Sequence, residues 1–504
     1  MQSKRDQVQA HMFLMGRLTS SMLRADPDGP ESPQGRTNRG VALGIIIALV
    51  VSAGAFVIGL ISPGTKDSWR SSGALIVDRD TGSRYLYLDG RLRPVRNYAS
   101  ARLLGGDGLK STDVRTASLR STPRGTPVGV PGAPDSLPGA GDLATGPWQV
   151  CSAPAAGVPT PRSPGLLATT TLAVGGAADG RGLDGTVALL VAGPDSSRHL
   201  VWRGSRFRLD RAGGALGALG YDSARPVPVS AAFLNSLPAG PDLAPPRVPE
   251  RGGKGPALEG RATRFGQVFK VASPGAAERY YLLRLDGLAP LTATGAALAL
   301  GDPRTRADAY DGRAPVAVGL GADALEGRLA PVGESPDLAD LPQSPPELVE
   351  VTAEQLVCVR VQPDDRGPRV SVSLVAPHSL GPVAHPPAEN LTPACVPVDR
   401  VTVPPGGGAL VRALGAGGSR LGDTLYLVTD TGMKYRIPTQ DALQALGYGS
   451  ARPRELPSPL LSMLPTGPDL DPALAARGKA VTTAQRCAPV PRTEAASTAG
   501  SGED

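Results

Sequence analysis

The residues most able to do chemistry are two Asp-Thr-Gly triplets, Asp80-Thr81-Gly82 and Asp430-Thr431-Gly432. Paired aspartates that share one proton can activate water against a peptide bond. Such a pair sits on an apolar base, whereas Arg79 and Thr429 directly precede these triplets. Each triplet is followed by a basic residue and a tyrosine, Arg84-Tyr85 and Lys434-Tyr435, within strand-like runs. Asp and Gly at that place suit a hairpin turn, and both triplets are read as turns.

Other catalytic constellations fail on spacing. A phosphate loop needs G-x-x-x-x-G-K-[ST] so that backbone N–H groups cradle phosphate. Gly253-Lys254 and Gly478-Lys479 lack the first glycine and the hydroxyl residue. His11, His199, His378 and His385 accompany no Ser or Cys nucleophile motif, and are read as surface or loop histidines. Gly406-Gly407-Gly408 after Pro404-Pro405 reads as a linker. Catalytic residues, metal ligands and cofactors are therefore not expected.

Four cysteines remain: Cys151, Cys358, Cys395 and Cys487. An even number without C-x-x-C spacing or nearby histidines points to disulfides in an oxidising compartment, and four cysteines allow three pairings. Cys151 and Cys358 lie in runs that look like core strands, Trp148–Cys151 and Leu356–Val359, so these two are expected to pair. That leaves Cys395 with Cys487.

One stretch fixes where such disulfides could lie. Val41 to Ile61 contains no charged, amide or proline residue. About 20 apolar residues in a helix cross a bilayer core of roughly 30 Å. The run starts too late and is too long for a cleaved leader, and it predicts a transmembrane helix over 41–62. Lys4, Arg5, Arg17, Arg24, Arg36 and Arg39 precede it, and Lys66 and Arg70 closely follow. Basic flanks stay in the cytoplasm, so the N-terminus is expected inside and the long remainder outside. Residues 1–40 form the cytoplasmic segment. Within it, Val8, Met12, Met15, Leu18 and Met22 recur at helical spacing. An amphipathic helix needs something to pack on, either the membrane face or a cytoplasmic partner.

Beyond a linker at 63–73 the chain repeats itself. Ala218-Leu-Gly-Tyr221 and Leu237-Pro-Ala-Gly-Pro-Asp-Leu243 reappear as Ala445-Leu-Gly-Tyr448 and Leu464-Pro-Thr-Gly-Pro-Asp-Leu470 at one constant offset. Weaker copies start at Leu75 and Tyr280. The expected units are 74–122, 186–246, 265–325 and 422–475. Between them, 126–185 and 326–400 hold strand-like runs that a Cys151–Cys358 bond would join into one central β-domain. Residues 476–504 are expected to be a flexible tail. With 64 glycines, 52 prolines and 4% aromatics, the cores must be built from Val, Leu and Ala. The net charge of +6 is spread rather than clustered, which argues against nucleic-acid binding. The expected fold class is α+β and β-rich: one N-terminal transmembrane helix, then an elongated external domain of four small repeats around a central β-domain.

This layout resembles one family. Gln7-Val8-Gln9-Ala10-His11-Met12-Phe13, then Arg17 and Asp26, then a single span, is similar to the amino-terminal signature of EccB proteins of type VII (ESX) secretion systems. The Trp148–Cys151 and Leu356–Val361 blocks and the L-P-x-G-P-D-L motifs also resemble theirs. The resemblance implies a structural component of the inner (plasma) membrane that links protomers through its external domain. The implied partners are an EccC-type motor ATPase, EccD- and EccE-type membrane components, a mycosin protease and further copies of the chain. Gln7, Val8, His11, Phe13 and Arg17 would then mark a partner-docking helix. The family has also been linked to ATPase activity, which the absent phosphate loop does not support, and to cell-wall binding, which would make the external domain a peptidoglycan-binding module.

Overall fold

The computed structural model describes residues 4–24, 33–61, 68–71, 73–154, 168–176, 180–272, 275, 277–331, 341–364, 367–387, 391–415 and 418–487. Most of the expected linker at 63–73 and the final part of the expected tail, 488–504, lie outside them. Two helices come first, α1 (Lys4–Arg24) and α2 (Pro33–Ile61). The rest is mixed α+β and rich in small sheets.

The first unit has strands β1 (Leu75–Asp78), β2 (Arg84–Leu88), β3 (Arg91–Pro94) and β4 (Ser111–Val114), in the order β3-β2-β1-β4. β1 to β3 form an antiparallel meander. The helix Tyr98–Gly105, capped by Asn97, carries the chain over to β4, which joins β1 in parallel. Next come three strands of another sheet, β5 (Trp148–Pro154), β6 (Ala168–Ala173) and β7 (Gly180–Gly182). A second unit follows, β8 (Val187–Ala192), β9 (Arg198–Trp202), β10 (Ser205–Arg208) and β11 (Val227–Pro228), and a third, β12 (Val268–Val271), β13 (Arg279–Arg284), β14 (Gly287–Leu291) and β15 (Val318–Gly319). After β16 (Glu347–Leu348), β17 (Leu356–Gln362), β18 (Arg369–Val375) and β19 (Arg400–Thr402) comes the last unit. It consists of β20 (Gly408–Leu414), β21 (Arg420–Thr429), β22 (Lys434–Ile437) and β23 (Arg454–Pro457). All four units share one strand order and one pattern of directions.

Three boundaries differ from the sequence reading. Residues 476–487, expected to belong to a flexible tail, finish the helix Pro472–Arg477 and pack on the last unit, with the Asp469 N–H donating to Val481 O and Cys487 joined to Cys395. The last unit starts at Gly408, not 422. Its first strand is disguised by Gly406-Gly407-Gly408, which reads as a linker; a Cβ at Gly408 would lie 2.4 Å from the Val428 carbonyl oxygen, so only glycine fits there. Glu347–Leu348, assigned to the central domain, instead pairs with β8 of the second unit.

The central sheet has the order β19-β6-β5-β17-β18-β7. Each half of the chain supplies an inner antiparallel hairpin and the outer strand beside the other half's hairpin. At the centre Val150 faces Val359, Cys151 faces Cys358 and Ser152 faces Val357. The arrangement is an approximate dyad through the two cysteines. It is broken at the rims, where β19 runs parallel to β6 and β7 antiparallel to β18. Cys151 and Cys358 are joined, with Cα atoms 4.0 Å apart, and Cys395 is joined to Cys487. Opposite the central disulfide, Val150, Val357 and Val359 pack with Leu189, Val191 and Val201 of the second unit and Val411 and Val428 of the last.

Every unit closes the same way. After its parallel strand the chain returns to pair with the third strand: Leu92 with Arg124, Arg206 with Ala239, Leu288 with Leu329, Lys434 with Thr466. In the second and last units this returning segment is the L-P-x-G-P-D-L motif. A Cβ on Gly240 would sit 2.4 Å from the Phe207 ring, and one on Gly467 2.3 Å from the Tyr435 ring. In the third unit the strand residue is the small Ala289, and the corresponding position is Ala330 rather than glycine. The motif glycine is therefore the counterpart of a bulky strand residue. Gly240→Ala should lower stability by about 1–3 kcal/mol through overpacking. Ala330→Gly, which meets no ring, should change it by less than about 1 kcal/mol. Thermal or denaturant melts check both, and equal losses would refute the pairing of sizes.

Candidate membrane anchor and assembly surfaces

Within α2 the candidate span Gly35–Ile58 covers 24 residues, with the apolar run from Val41 as its main part, and none of it is buried within the chain. At 1.5 Å per residue it is about 36 Å long, enough to cross a hydrocarbon core of roughly 30 Å with some tilt. Ile46, Val50 and Phe56 are 58%, 66% and 70% exposed. A soluble helix does not leave such a surface bare on all sides. The helix starts at Pro33, eight residues before the apolar run at Val41 read as its start. Proline suits a first turn, and the extension brings Arg36 and Arg39 into the helix, where long basic side chains reach the headgroups.

α1 carries the residues singled out for docking, all exposed. At about 100° per residue, Gln7, Val8 and His11 share a side with Met12, Met15, Leu18 and Met22. Phe13 and Arg17 lie on the other side, one turn apart. The five residues are thus divided between two faces. Phe13 is 69% and Met22 84% exposed, so both faces are bare in the isolated chain.

The two Asp-Thr-Gly triplets sit in hairpin turns of different sheets, β1–β2 and β21–β22. The Thr116 N–H donates to Asp80 at 3.0 Å and the Gly406 N–H to Asp430 at 2.9 Å. Each carboxylate holds a neighbouring loop, and the two do not face each other. Gly478 is the left-handed cap that ends the helix Pro472–Arg477. A phosphate loop needs glycine before a helix start, where free N–H groups point at the anion. Gly253-Lys254 lies in a turn, with the Gly253 N–H donating to Glu250. Among the described residues, no three His, Cys, Asp or Glu side chains gather as a metal site would require.

The burial of four polar groups escaped the sequence reading. His199 is not on the surface: it is buried on β9, its Nδ1 has no partner among the described residues, and burial lowers its pKa. The signal was its place in the strand run Arg198–Trp202, directly before Leu200 and Val201. Lys434 is 4% exposed and donates to Leu461 O (2.5 Å) and Leu464 O (2.8 Å), at the end of the helix Ser458–Ser462. It lines a cavity of about 190 Å³ with Tyr426 and Thr483. The repeated A-L-G-Y blocks place a buried tyrosine in each of two units. Tyr221 donates to Pro346 O and Tyr448 to Pro138 O, both at 2.7 Å. Burial pushes the Tyr221 hydroxyl up to about 12. The two tyrosines lock crossing segments onto the units.

Burial lowers the Lys434 pKa from 10.5 to about 8. Below pH 8 folded and unfolded chains both hold the proton, and the burial cost is fully present. Between about 8 and 10.5 the unfolded chain binds more protons, so stability rises with pH, by at most about 1.4 kcal/mol per pH unit. The stability difference between wild type and Lys434→Met should therefore move in favour of wild type across that window. Chemical melts at pH 7.5, 9 and 10.5 read it, and a constant difference would show that the lysine is not held in this way.

The chain is similar over nearly all its length to proteins of one kind. A family model described as "Type VII secretion system ESX-1, transport TM domain B" matches residues 1–483. A relative from Mycolicibacterium smegmatis, "ESX-3 secretion system ATPase EccB3", is 30% identical over 487 residues, covering 92% of this chain and 89% of the relative. "ESX-2 secretion system ATPase EccB2" of Mycobacterium tuberculosis is 28% identical, with 96% of this chain and 97% of the relative covered. Among solved structures, a chain of an intact ESX-5 inner membrane complex superposes with a TM-score of 0.62 at 26% identity, covering 97% of this chain and 98% of that one. A chain of the EccB3 dimer from the ESX-3 core complex gives 0.62 at 27%, covering 80% and 99%.

Proposed function

This chain belongs to the EccB family and is a structural core component of a type VII (ESX) secretion membrane complex; on that premise we propose that it works as a one-span tether, with a cytoplasmic foot and an extracytoplasmic linking body. The observation that carries the proposal is an apolar helix bare on every side, placed between an exposed two-faced helix and a body of five sheets. The basic residues before the span favour an inside N-terminus. The two disulfides favour an oxidising location for the body.

In this reading α1 docks on neighbouring cytoplasmic parts, an EccC-type motor ATPase or EccD- and EccE-type components, through Gln7, Val8, His11, Phe13 and Arg17. The body associates with further copies of itself, as the relative described as an EccB3 dimer does, and with a mycosin-type protease. The relatives' names include "ATPase". Neither Gly-Lys pair of this chain opens a helix, and the two bonded Asp-Thr-Gly turns lie apart, so we assign the driving hydrolysis to the separate motor.

Deletion of Gln7–Leu23 should release the protein from the detergent-solubilised complex while the melting transition of the body stays where it is. Undiminished co-purification would rule out α1 as the foot. In intact cells stripped of their outer layers, added protease should digest a tag at the carboxyl end and spare one at the amino end. The reverse pattern would overturn the orientation.

A further inference from the structure

The L-P-x-G-P-D-L motif occurs twice, and the two copies differ in what covers their outer edge. In the last unit the edge is taken. Thr392 and Thr466 exchange backbone hydrogen bonds of 2.8 and 2.9 Å. The Asp469 N–H donates to Val481 O at 2.8 Å, and its carboxylate accepts from the Thr483 N–H (3.1 Å), the Thr483 hydroxyl (2.7 Å) and Arg436 (2.9 Å). The Cys395–Cys487 bond ties the two covering segments together.

The corresponding edge of the second unit is open. Ala239, the counterpart of Thr466, is exposed, and among the described residues its N–H and C=O meet no partner. Among the described residues, the backbone N–H of Asp242, the counterpart of Asp469, has no hydrogen-bond partner, and its carboxylate makes no hydrogen bond or salt bridge. On β10 the half-buried Arg206 and the exposed Arg208 stand where Lys434 and Arg436 do in the last unit. Lys434 and Arg436 are consumed by their own chain, whereas neither guanidinium here has a hydrogen-bond partner among the described residues. Beside them is the buried imidazole of His199, its Nδ1 unpartnered. An unpaired strand edge is a template for adding a strand.

We propose that the open edge at Ala239–Asp242 binds an extended segment of a second protein that carries a hydroxyl residue and an acidic residue. The backbone of the segment pairs with Ala239, as Thr392 pairs with Thr466. Its hydroxyl residue meets Asp242, as Thr483 meets Asp469. Its carboxylate meets Arg206 and Arg208, which outnumber the one acid at the edge. The proposal rests on the external body being an assembly surface, and adds where and what it grips.

The probe is a fluorescent acetylated peptide, Val-Thr-Thr-Glu-Gln-Ser, patterned on the covering segment from Val481 with glutamate in place of Ala484. Serine stands in place of Arg486, and the anisotropy of the peptide is followed against the full-length chain in detergent micelles. Saturable binding is expected. Ala239→Pro, which removes the outward N–H alone, should weaken it at least tenfold, and Ala239→Thr, the residue pattern of the last unit, should leave it within twofold. Arg206→Gln combined with Arg208→Gln, or glutamine for glutamate in the peptide, should weaken it about tenfold; this pair carries the test if Ala239→Pro melts early. No saturable binding, or binding indifferent to these changes, overturns the proposal. So does binding seen only after truncation at Cys487, which would make residues 488–504 the occupant, or only on dilution, which would make it a second copy. Incorporation of Ala239→Pro into the membrane complex is measured in parallel. Normal incorporation with peptide binding intact overturns this edge and spares the assembly role, whereas failed incorporation of the α1 deletion bears on the assembly role alone.

Discussion

The pairing of Trp148–Pro154 with Leu356–Gln362 is the constraint from which the rest of the body follows. It joins strands whose bonded cysteines are 207 residues apart in sequence. Closing so long a loop is entropically unfavourable, and a covalent bond at its neck removes part of that cost from the unfolded chain. Once the two strands are fixed, each half must send its connecting segments across the other. Leu143 and Ala144, from the first half, pair with Gly408 of the last unit. Glu347–Leu348, from the second half, adds to the sheet of the second unit. The buried hydroxyls of Tyr448 and Tyr221 fasten these crossings at equivalent places. The halves are thereby interleaved, and neither can unfold without withdrawing a segment from the other.

The units themselves have few ways to be built. A three-strand meander with a parallel fourth strand leaves the third strand as an edge. The returning segment covers that edge, and its glycine or alanine is set by the bulk of the residue it crosses: Phe207 and Tyr435 require glycine, while Ala289 permits Ala330. Units also join in pairs through small residues. A Cβ on Gly301, at the end of the third unit's helix Ala293–Gly301, would lie 2.3 Å from that of Ala218 in the second unit. Nearby, Arg251 bonds the fully buried Asp302 at 2.7 Å. The first and last units meet through Ala99 and Leu103 against Ala442 and Leu443. With so few aromatic residues, close backbone approach does the packing that large side chains do elsewhere.

Much of this was legible in the residues. The apolar run marked the span, because no soluble helix tolerates 21 such residues without a polar face. The gapless blocks marked the duplication, because turn, glycine and tyrosine must recur together to rebuild one closure. What escaped was set by tertiary context. Gly408 looks like a breaker until the Val428 carbonyl stands against it. Lys434 and His199 occupy inward positions of strands, where a polar residue is legible only if its partner is known, and those partners are helix-end carbonyls or, for the His199 Nδ1, nothing in the described chain. The early start of α2 was hidden because the residues before Val41 are polar, and helix propagation from an apolar nucleus does not require them to be otherwise.

Many of the polar groups in the body hold crossing segments together, as Tyr221, Tyr448 and Asp469 do, whereas the exposed edge at Ala239–Asp242 holds nothing among the described residues. The unsatisfied surface at the other end of the molecule is of a different kind. α1 shows a methionine-rich side containing Val8 and His11, and a reverse side with Phe13 next to Arg17. A helix so exposed gains little from packing, the source of most helical stability. If only one face were used, the other would be left as bare apolar surface. Two neighbours of different chemistry remove both costs: the flexible methionines suit lipid or an adaptable groove, and an aromatic beside a guanidinium suits a defined protein site. In the tether proposed above, a foot with two such faces would hold its place where membrane and partner meet, at the base of the assembled complex.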